Sequence, residues 1–488
     1  MSQLLPNFLK QRAYLTPNRT ALIFEKEKWS FSDLYKKVEV YAKKIASLDI
    51  KTQDSIAVLL SNSPQTVIII HALQQIGVTA VFLNHRLTAN EMVFQIKDSG
   101  SKILISESQF ENKLEEITQL YNDLSIISEV DIEELDTKKN PILNEFRMDD
   151  VCSIMYTSGT TGKPKGVLQT YGNHWWSAVG SALNLGLKEE DGWVCAVPLF
   201  HISGLSILMR SVIYGMAVYL YEQFDEKEIN QQLLTGNVTI MSVVSTMLYR
   251  LIDDLEDKRY HENFRCMLLG GGPAPKSLLE SCLEKNIPVF QSYGMTETSS
   301  QIVTLSPEDS LIKLGSAGKP LFPSQLKIMG EGKPLELNTL GEIVVKGPNV
   351  TKGYLNREEA NLSNFKEGWF YTGDIGYLDE EGYLFVVDRR SDLIISGGEN
   401  IYPAEIEEVL LSHPMVKEAG VTGVNHSLWG QVPCGFVVTT QSLEADELIN
   451  YCHERLAKYK VPKQIYFVDA LPRNASNKLL RRKLQDLI

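Results

Sequence analysis

Strand-like and helix-like apolar patterns alternate along the first two-thirds of this chain. Residues 31–45 place their apolar side chains on one helical face, with Ser30 as the expected N-cap, and another helical stretch begins near Pro64. Short apolar runs typical of buried strands lie between the helical segments, at 56–60, 78–83, 194–198, 267–269 and 289–291. Such alternation predicts largely parallel sheets with helices on both faces, and ligand sites at the carboxyl ends of the strands.

The pattern changes after about residue 385. The polar run Asp388-Arg-Arg-Ser-Asp392 has no apolar face, and a later helix is predicted over 445–458. We therefore expect an α/β fold in which a large N-terminal domain, 1–389, contains mixed or parallel sheets covered by helices. A small α+β domain, 390–488, follows it.

Composition argues against several classes of protein. The 488 residues include 48 Lys and Arg against 61 Asp and Glu, and the resulting net charge of −13 disfavours a nucleic-acid binder. The most apolar region, 66–83, is interrupted by His71, Gln74 and Gln75, and the N-terminus lacks the basic-then-apolar layout of a secretory signal. The six cysteines form no CxxC pair, which favours buried thiols. We expect a cytoplasmic protein without a membrane span or a nucleic-acid partner.

The most specific local motif is the loop Tyr156-Thr-Ser-Gly-Thr-Thr-Gly-Lys-Pro-Lys-Gly166, which directly follows the apolar run 151–155. Its glycines let the backbone approach a ligand closely, and its hydroxyls and lysines can donate hydrogen bonds to phosphate oxygens. Because Pro164 follows Lys163, the loop does not match the Walker A pattern, in which Ser or Thr follows the lysine. The loop predicts a phosphate site of another kind.

Together with its companion motifs, this loop resembles the phosphate-binding signature of the adenylate-forming superfamily of acyl-CoA synthetases, adenylation domains and luciferases. The companions occur in order over most of the chain, which makes the resemblance specific. They are Pro198-Leu-Phe-His201, Tyr293-Gly-Met-Thr-Glu297, Gly341-Glu-Ile-Val-Val-Lys-Gly347, Tyr371-Thr-Gly-Asp374, Asp388-Arg389 with Gly397-Gly398 and Glu405-Ile-Glu407, and Lys478.

The resemblance implies an AMP-forming ligase that works in two steps. An acid attacks the α-phosphorus of ATP to give an acyl-adenylate and pyrophosphate, and the acyl group then passes to coenzyme A as AMP leaves. Catalysis of the first step is chiefly alignment and charge neutralisation. The implied small-molecule partners are therefore an acid, ATP, Mg²⁺ and coenzyme A.

The nucleotide-binding residues implied by the resemblance fall into three groups. The glycine loop holds the phosphates, the glycines after 267–269 let adenine lie against the backbone opposite Tyr293, and Asp374 with Arg389 binds the ribose. In full they are Thr157, Ser158, Gly159, Thr160, Thr161, Gly162, Lys163, Gly271, Gly272, Tyr293, Gly294, Asp374 and Arg389.

Four residues are implied in catalysis. Glu297 is a hard oxygen ligand suited to Mg²⁺, and Thr296 can hydrogen-bond the α-phosphate. Lys478 is the adenylation lysine by position, a point charge that bridges the carboxylate and the α-phosphate. The family usually has glycine before this lysine, so Asn477 predicts a stiffer or differently shaped loop. His201 borders and gates the acyl pocket, with a structural role in a buried turn as the alternative.

The small domain of this family rotates between the two steps, so the resemblance implies that 390–488 is mobile. The pivot by alignment is Ser391, where Asp or Lys is commoner. A hinge needs only a residue that absorbs a change of backbone angle, and serine meets that need. Gly397 and Gly398 would then line the path of the pantetheine arm of coenzyme A.

Four further stretches narrow the identity of the acid, and together they resemble the 2-succinylbenzoate–CoA ligases of menaquinone biosynthesis. They are 201–210, 268–276, 291–303 and 315–323. The implied substrate is an aromatic dicarboxylate, and its second carboxylate needs a cation or several donors when buried. Arg210, in an otherwise apolar run, is the candidate cation, with His201 and Ser299 as further acyl-pocket residues.

Other functions stay open on the sequence alone. A ligase for benzoates or fatty acids would not need a buried cation in its acyl pocket, and a stand-alone adenylation enzyme would pass the acyl group to a carrier protein. A kinase or ATP-dependent switch would release ADP, and a non-enzymatic ATP-binding module would leave Lys478 unexplained. A homo-oligomer is compatible with the sequence.

Overall fold

The computed structural model describes residues 3–139, 141–157, 164–271, 274–389, 394–396, 399–401, 403–426, 429–456, 458–474 and 477–488. The chain divides into two compact units. The first comprises Met1–Leu326 with Val345–Phe370, and the second comprises Lys327–Val344 with Tyr371–Ile488. The domain boundary expected at 389/390 stays a prediction.

The first unit contains a six-stranded sheet in which five consecutive strands run parallel. Its remaining strand, Lys165–Thr170, pairs antiparallel with Val151–Thr157 at one edge. In spatial order the strands are Lys165–Thr170, Val151–Thr157, Thr79–Phe82, Ser55–Leu59, Ile103–Ser106 and Ser125–Ser128. The glycine-rich loop connects these two antiparallel strands, so the residues on either side of it lie at one edge of this sheet.

The first unit also contains nine strands of a second sheet, with parallel strands at their centre and antiparallel strands on either side. In spatial order these strands are Ser316–Pro320, Ser300–Leu305, Val289–Met295, Cys266–Gly270, Ile240–Val244, Gly192–Cys195, Ala217–Leu220, Thr20–Phe24 and Glu27–Ser30. Separately, Leu4–Pro6 and Glu145–Arg147 form a two-stranded antiparallel pair. The predicted α/β class with parallel sheets is confirmed.

Helices of the first unit alternate with these strands. They are Phe8–Leu15, Phe31–Ile45, Pro64–Gln75, Ala89–Asp98, Glu111–Leu120, Glu129–Glu134, Tyr171–Leu185, Ile202–Tyr214, Glu226–Leu234, Ser245–Leu255, Lys276–Glu284 and Glu358–Asn364. The helix predicted over 31–45 is confirmed. Ser30 caps it through a capping box with Asp33, and its apolar face is buried in the main hydrophobic core.

The strand Val289–Met295 reaches the carboxyl edge of the second sheet and turns back into Ser300–Leu305. A short 3₁₀ segment, Thr296–Thr298, makes this turn. A Cβ at Gly294 would lie 2.1 Å from the Ser300 carbonyl oxygen, so only glycine fits where the two strands approach. The segment expected to bind nucleotide phosphates thus sits at the sheet edge where ligands are expected.

The second unit is built of strands with a few helices. Its strands are Gln325–Gly330, Lys333–Pro334, Gly341–Lys346, Trp369–Leu378, Leu384–Arg389, Ile394–Ser396, Glu399–Ile401, Val416–His426, Gly430–Thr439 and Gln464–Phe467, the first, third and fourth of which cross the unit boundary. Its helices are Pro403–Leu411 and Ala445–His453, and they bury Ile406, Leu410 and Leu448 in a separate core. The α+β character expected beyond residue 390 is confirmed.

One predicted helix boundary is wrong. The helix predicted over 445–458 ends at His453, because the chain must turn there to reach the strand Gln464–Phe467, which pairs parallel with Gly430–Thr439. The six cysteines are free and buried, as expected. No helix in the described part of the chain is both long and apolar enough to cross a membrane.

Candidate active site

Thr296 and Glu297, the predicted phosphate and metal residues, lie in the turn that follows the strand Val289–Met295. Glu297 is only 9% exposed, and its Oε1 accepts a 3.0 Å hydrogen bond from the phenol of Tyr354. A buried carboxylate held by a hydrogen-bond donor keeps a fixed orientation. The turn therefore presents one oriented oxygen ligand beside a half-buried threonine hydroxyl.

The segment 347–354 holds the backbone of this turn from one side. The Thr351 amide donates to the Glu297 carbonyl over 2.7 Å, and the Asn349 side-chain amide donates to the Thr298 carbonyl over 2.9 Å. Both donors are buried. Since buried carbonyls need partners, these bonds fix the turn relative to that segment.

The end of the turn has an unusual backbone conformation. Ser299 and Ser300 adopt φ of 51° and 102°, in the left-handed region that non-glycine residues seldom occupy. Each such residue costs about 1–3 kcal/mol and persists where its surroundings hold it. Ser177 supplies one restraint, since its hydroxyl donates to the Ser299 carbonyl over 2.6 Å.

The two ends of the phosphate loop are tied to a single ion pair. Arg357 Nη1 lies 3.0 Å from Asp98 Oδ1, and Arg357 Nη2 donates to the Pro164 carbonyl over 3.2 Å. The Tyr156 phenol donates to Asp98 Oδ2 over 2.9 Å. Thr157 ends the strand that enters the loop. The predicted loop residues 158–163 lie outside the described residues.

Two adjacent parallel strands bring the predicted adenine residues to one edge of the second sheet. Gly271 follows Cys266–Gly270, and Tyr293 lies in the neighbouring strand Val289–Met295, with Leu269 opposite Gln291. Gly271 has φ of 89°, a conformation that glycine adopts without strain. The predicted Gly272 lies outside the described residues.

His201 precedes the helix Ile202–Tyr214 as its N-cap residue. Burial, together with electrostatic repulsion from Arg86 and His85, lowers the pKa of His201 to about 4. Its ring centroid lies 4.6 Å from that of Phe200. His201 is therefore neutral at physiological pH, which suits a pocket wall rather than a cation for an anionic ligand.

Arg210, on the same helix, is 1% exposed. Its Nη2 donates to the Ser300 hydroxyl over 3.2 Å, and its guanidinium lies 5.1 Å from the ring centroid of Trp193. The Trp193 indole in turn donates to the Ser242 hydroxyl over 3.0 Å. Among the described residues, Arg210 has no carboxylate partner and its Nε has no hydrogen-bond acceptor. The protein thus buries a guanidinium beside a ring and hydroxyls.

The hydroxyl that meets Arg210 belongs to Ser300, which the sequence did not single out. The predicted Ser299, one residue earlier, is completely buried. A sequence motif cannot show which of these two adjacent serines faces Arg210, because their side-chain directions depend on the left-handed backbone at both positions.

In the second unit, Asp374 is 5% exposed and lies in the strand Trp369–Leu378. It pairs across the strands with Arg389, and its amide donates to the Thr372 hydroxyl over 3.0 Å. The two predicted ribose residues are therefore directly opposite each other on neighbouring strands. The Arg389 side chain lies outside the described part of the structure, as do Ser391, Gly397 and Gly398.

Lys478 is exposed in the second unit. Its amide donates to the side-chain oxygen of Asn474 over 2.9 Å, and its carbonyl accepts from the Asn474 amide over 2.9 Å. Asn477 has φ of 62°, which glycine and asparagine adopt more readily than other residues. Asparagine therefore satisfies the backbone requirement at the position where the family usually has glycine.

Comparison with known proteins identifies the family. Residues 9–355 match the AMP-binding enzyme family, and residues 405–478 match the AMP-binding enzyme C-terminal domain. A 2-succinylbenzoate–CoA ligase of Geobacillus sp. (strain WCH70) is 56% identical over 490 residues, which cover 100% of this chain and 98% of the relative.

Solved structures agree with the sequence relatives. The o-succinylbenzoate CoA synthetase of Bacillus subtilis, in complex with the acyl-adenylate intermediate OSB-AMP, is 52% identical and matches with a TM-score of 0.95 over 99% of each chain. The same enzyme in complex with ATP and magnesium ion matches with a TM-score of 0.95 over 99% of this chain and 100% of that chain. The chain therefore belongs to the AMP-binding enzyme family and is a ligase of its AMP-forming acyl-CoA synthetase class.

Proposed function

We propose that the chain is a 2-succinylbenzoate–CoA ligase of menaquinone biosynthesis. It converts 2-succinylbenzoate, ATP and coenzyme A into 2-succinylbenzoyl-CoA, AMP and diphosphate through an acyl-adenylate. The observation that carries this proposal is identity of 52–56% over essentially the whole chain to enzymes named for that activity. The matching structures hold the acyl-adenylate in one case and ATP with magnesium in another.

The residues of the 296–297 turn fit a magnesium site of the kind found with nucleotides. The described residues contain no group of three or more His, Cys, Asp or Glu side chains placed to hold a metal ion. Mg²⁺ in nucleotide sites takes one or two carboxylates together with substrate phosphates, so the single buried carboxylate of Glu297 is sufficient. When bound, the ion neutralises charge on the phosphate oxygens. Thr296 would orient the α-phosphate for attack.

The loop at 158–163 would hold the β- and γ-phosphates, and the ion pair between Asp98 and Arg357 would fix its two ends. Tyr293 with the glycines 271 and 272 would bind adenine, and Asp374 with Arg389 would bind the ribose. Alignment of this kind lowers the barrier because the carboxylate and the α-phosphorus meet in a reactive geometry. Lys478 would then neutralise the charge that develops between them.

We assign thioester formation to a second arrangement of the small domain. In this proposal residues 390–488 turn about Ser391, Lys478 leaves the site, and Gly397 and Gly398 line the pantetheine path. The proposed boundary at 389/390 falls between the two matched family ranges, 9–355 and 405–478. His201, neutral at physiological pH, would form the wall of the acyl pocket that the pantetheine passes.

Arg210 is proposed to bind the benzoate carboxylate of the substrate, directly or through an ordered water. A buried guanidinium without a carboxylate partner carries an uncompensated desolvation cost, and a substrate carboxylate would offset it. Its hydrogen bond to Ser300 also brings a hydroxyl to the same place. A monocarboxylic acid would leave this charge uncompensated, which favours a dicarboxylate over simple benzoates or fatty acids.

The cysteines bear on the cellular location. The six free, buried cysteines support the proposed cytoplasmic location. Partners are proposed to be the small molecules alone, without nucleic acid, and a homo-oligomer stays a prediction.

A panel of carboxylic acids tests the substrate. Purified protein is supplied with ATP, Mg²⁺ and each acid, with and without coenzyme A, and released nucleotides are separated by chromatography. We expect AMP release above background with 2-succinylbenzoate, and a thioester product only when coenzyme A is present. A stronger response to benzoate or a fatty acid would assign the chain to another acyl-CoA ligase, and release of ADP would exclude the ligase reaction.

A further inference from the structure

We propose that Gln169 is a positioning residue for the Thr296–Glu297 turn, and that a buried chain of hydrogen bonds from His174 through Ser153 sets the orientation of its amide. This inference rests on the proposed function of the turn in binding ATP and Mg²⁺. Gln169 touches the backbone of the turn and acts on the reaction only through it.

The chain of contacts is continuous. Gln169 Nε2 donates to the Thr296 carbonyl over 2.9 Å, and Gln169 Oε1 accepts from the Ser153 hydroxyl over 3.0 Å. The Ser153 hydroxyl lies 2.9 Å from His174 Nε2. Gln169 is 0% exposed, and Ser153 and His174 are each 1% exposed, so water does not compete for these groups.

The donors and acceptors of this chain allow only one direction for its hydrogen bonds. The Thr296 carbonyl can only accept, so the Gln169 amide must present its NH₂ to the turn and its oxygen to Ser153. Ser153 has a single proton and gives it to that oxygen, so His174 Nε2 must be the donor to Ser153. His174 therefore carries a proton on Nε2.

The surroundings of His174 favour a neutral ring, whose single proton is the one on Nε2. Burial, with the positive charge of Arg210, lowers the pKa of His174 to about 4. Its Nδ1 has no hydrogen-bond partner among the described residues, as fits a bare acceptor nitrogen. The three side chains therefore form a directional chain that ends at the peptide unit preceding Glu297.

The position of Gln169 in the fold explains why this contact matters. Gln169 lies on the strand Lys165–Thr170, which is the strand that leaves the phosphate loop. Its amide thus connects the element that holds the β- and γ-phosphates to the turn that bears the metal ligand. Since both elements must bind one triphosphate, their separation sets the alignment of the α-phosphorus.

The test compares Gln169→Met with a matched control, Gln75→Met. Gln75 is also a buried glutamine, at 1% exposure, but its side-chain amide has no partner in the described structure and it does not contact the turn. The adenylation half-reaction is measured by acid-dependent pyrophosphate exchange. The thioester half-reaction is measured separately, from acyl-adenylate supplied to the protein. Binding of ATP is measured by calorimetry over a range of Mg²⁺ concentrations, and Tm reports folding.

For Gln169→Met we expect adenylation to fall roughly 10- to 100-fold, because the variant removes the buried side-chain donor that ties the Thr296 carbonyl to the strand Lys165–Thr170. ATP binding should require more Mg²⁺, while thioester formation should change less than about threefold. Gln169→Glu should be at least as impaired, because a carboxylate has no N–H to give the turn. Gln75→Met should match the wild type in both half-reactions.

Two results would overturn the proposal. One is an equal loss in both half-reactions of Gln169→Met, and the other is a lower Tm with unchanged Mg²⁺-dependent ATP binding. If Gln169→Met does not fold, Ser153→Ala is tested instead. That change removes the hydrogen bond that orients the Gln169 amide but keeps the Gln169 NH₂ group that donates to the Thr296 carbonyl. It should show the same pattern with a smaller loss, and wild-type Mg²⁺ dependence would overturn the proposal. Failure of the wild type to form any acyl-adenylate would instead refute the proposed function.

Discussion

The phenol of Tyr354 and the carboxylate of Glu297 form a buried hydrogen bond of 3.0 Å, although the two residues are 57 positions apart in the chain. Tyr354 is itself fixed by a bridge to Val167 of the strand Lys165–Thr170. Packing within the first unit therefore helps to set the direction of the Glu297 carboxylate.

Replacing Tyr354 by phenylalanine removes this donor and keeps the ring. A hydrogen bond to a charged group contributes about 1.5–3 kcal/mol, so we expect adenylation at limiting Mg²⁺ to fall roughly 10- to 150-fold. The Mg²⁺ concentration for half-maximal rate should rise, because Glu297 is no longer held toward the phosphates. Titration of Mg²⁺ in the adenylation assay measures this, and an unchanged titration would show that Tyr354 does not orient the carboxylate.

Lys478→Ala separates the two half-reactions. We expect it to block adenylation and to leave thioester formation from supplied acyl-adenylate largely intact, because the proposed domain rotation removes this lysine before the second step. Rapid-quench measurement of both half-reactions checks this. Arg482→Ala, which removes a neighbouring cation outside the proposed site, is the control and should affect neither step. Equal losses in both steps of Lys478→Ala would contradict the rotation.

Arg210→Ala tests how the second carboxylate is bound. Removing one partner of a desolvated pair costs about 2–5 kcal/mol, so kcat/KM for 2-succinylbenzoate should fall roughly 30- to several-thousand-fold. An analogue that lacks the benzoate carboxylate should lose much less, because it presents no charge to Arg210. Arg210→Lys should recover only part of the activity, since an ammonium cannot reproduce the planar guanidinium.

The measurement is the ratio of kcat/KM for the two acids before and after substitution. If Arg210 were only a packing residue, Arg210→Ala would impair both acids alike and lower Tm, and the ratio would not change.

The ion pair between Asp191 and Arg265 supports the strand Gly192–Cys195, which carries Trp193 beneath Arg210. Arg265 donates to both carboxylate oxygens of Asp191, over 2.8 and 2.5 Å, and the Asp191 side chain is 1% exposed. Burial acts to raise the pKa of Asp191, but hydrogen bonds from Arg265, Thr239 and the Lys188 amide outweigh it and lower that pKa. The pair therefore favours the ionised carboxylate in the folded state.

A carboxyl whose pKa is lower in the folded state stabilises that state when it is ionised. This contribution to the free energy of unfolding is fully present above the pKa of an unfolded aspartate, about 3.9, and is lost as the pH falls through the folded-state pKa. Asp191→Asn should reduce the free energy of unfolding at pH 7 by about 3 kcal/mol, because it leaves Arg265 without its anion. The difference from the wild type should narrow as the pH falls below about 4. Urea unfolding at several pH values measures it, and a difference independent of pH would contradict this account.

Much of the fold could be predicted where local sequence decides it. The helix Phe31–Ile45 has both its apolar face and its cap encoded within the segment, and prediction and structure agree. The strand predicted at 289–291 continues to Met295, because Tyr293 and Gly294 pair with the returning strand Ser300–Leu305. The apolar pattern ends before this extension, so only tertiary pairing reveals it.

The candidate site divides in the same way. Glu297 and Lys478 lie in motifs typical of the family, so the sequence alone predicts their roles as a metal ligand and as the adenylation lysine. Asp98, Gln169 and Tyr354 act through partners that are distant in the chain; Asp98 and Arg357, for example, are 259 positions apart. Nothing near these residues in the sequence carries a signal for such contacts, so they became visible only with the packed sheets.

Exchange of labelled pyrophosphate into ATP without coenzyme A tests the central claim most directly, because only reversible formation of an acyl-adenylate supports it. We expect exchange that requires both 2-succinylbenzoate and Mg²⁺ and that exceeds exchange with benzoate or a fatty acid. Absence of acid-dependent exchange, or ADP as the nucleotide product, would contradict the account.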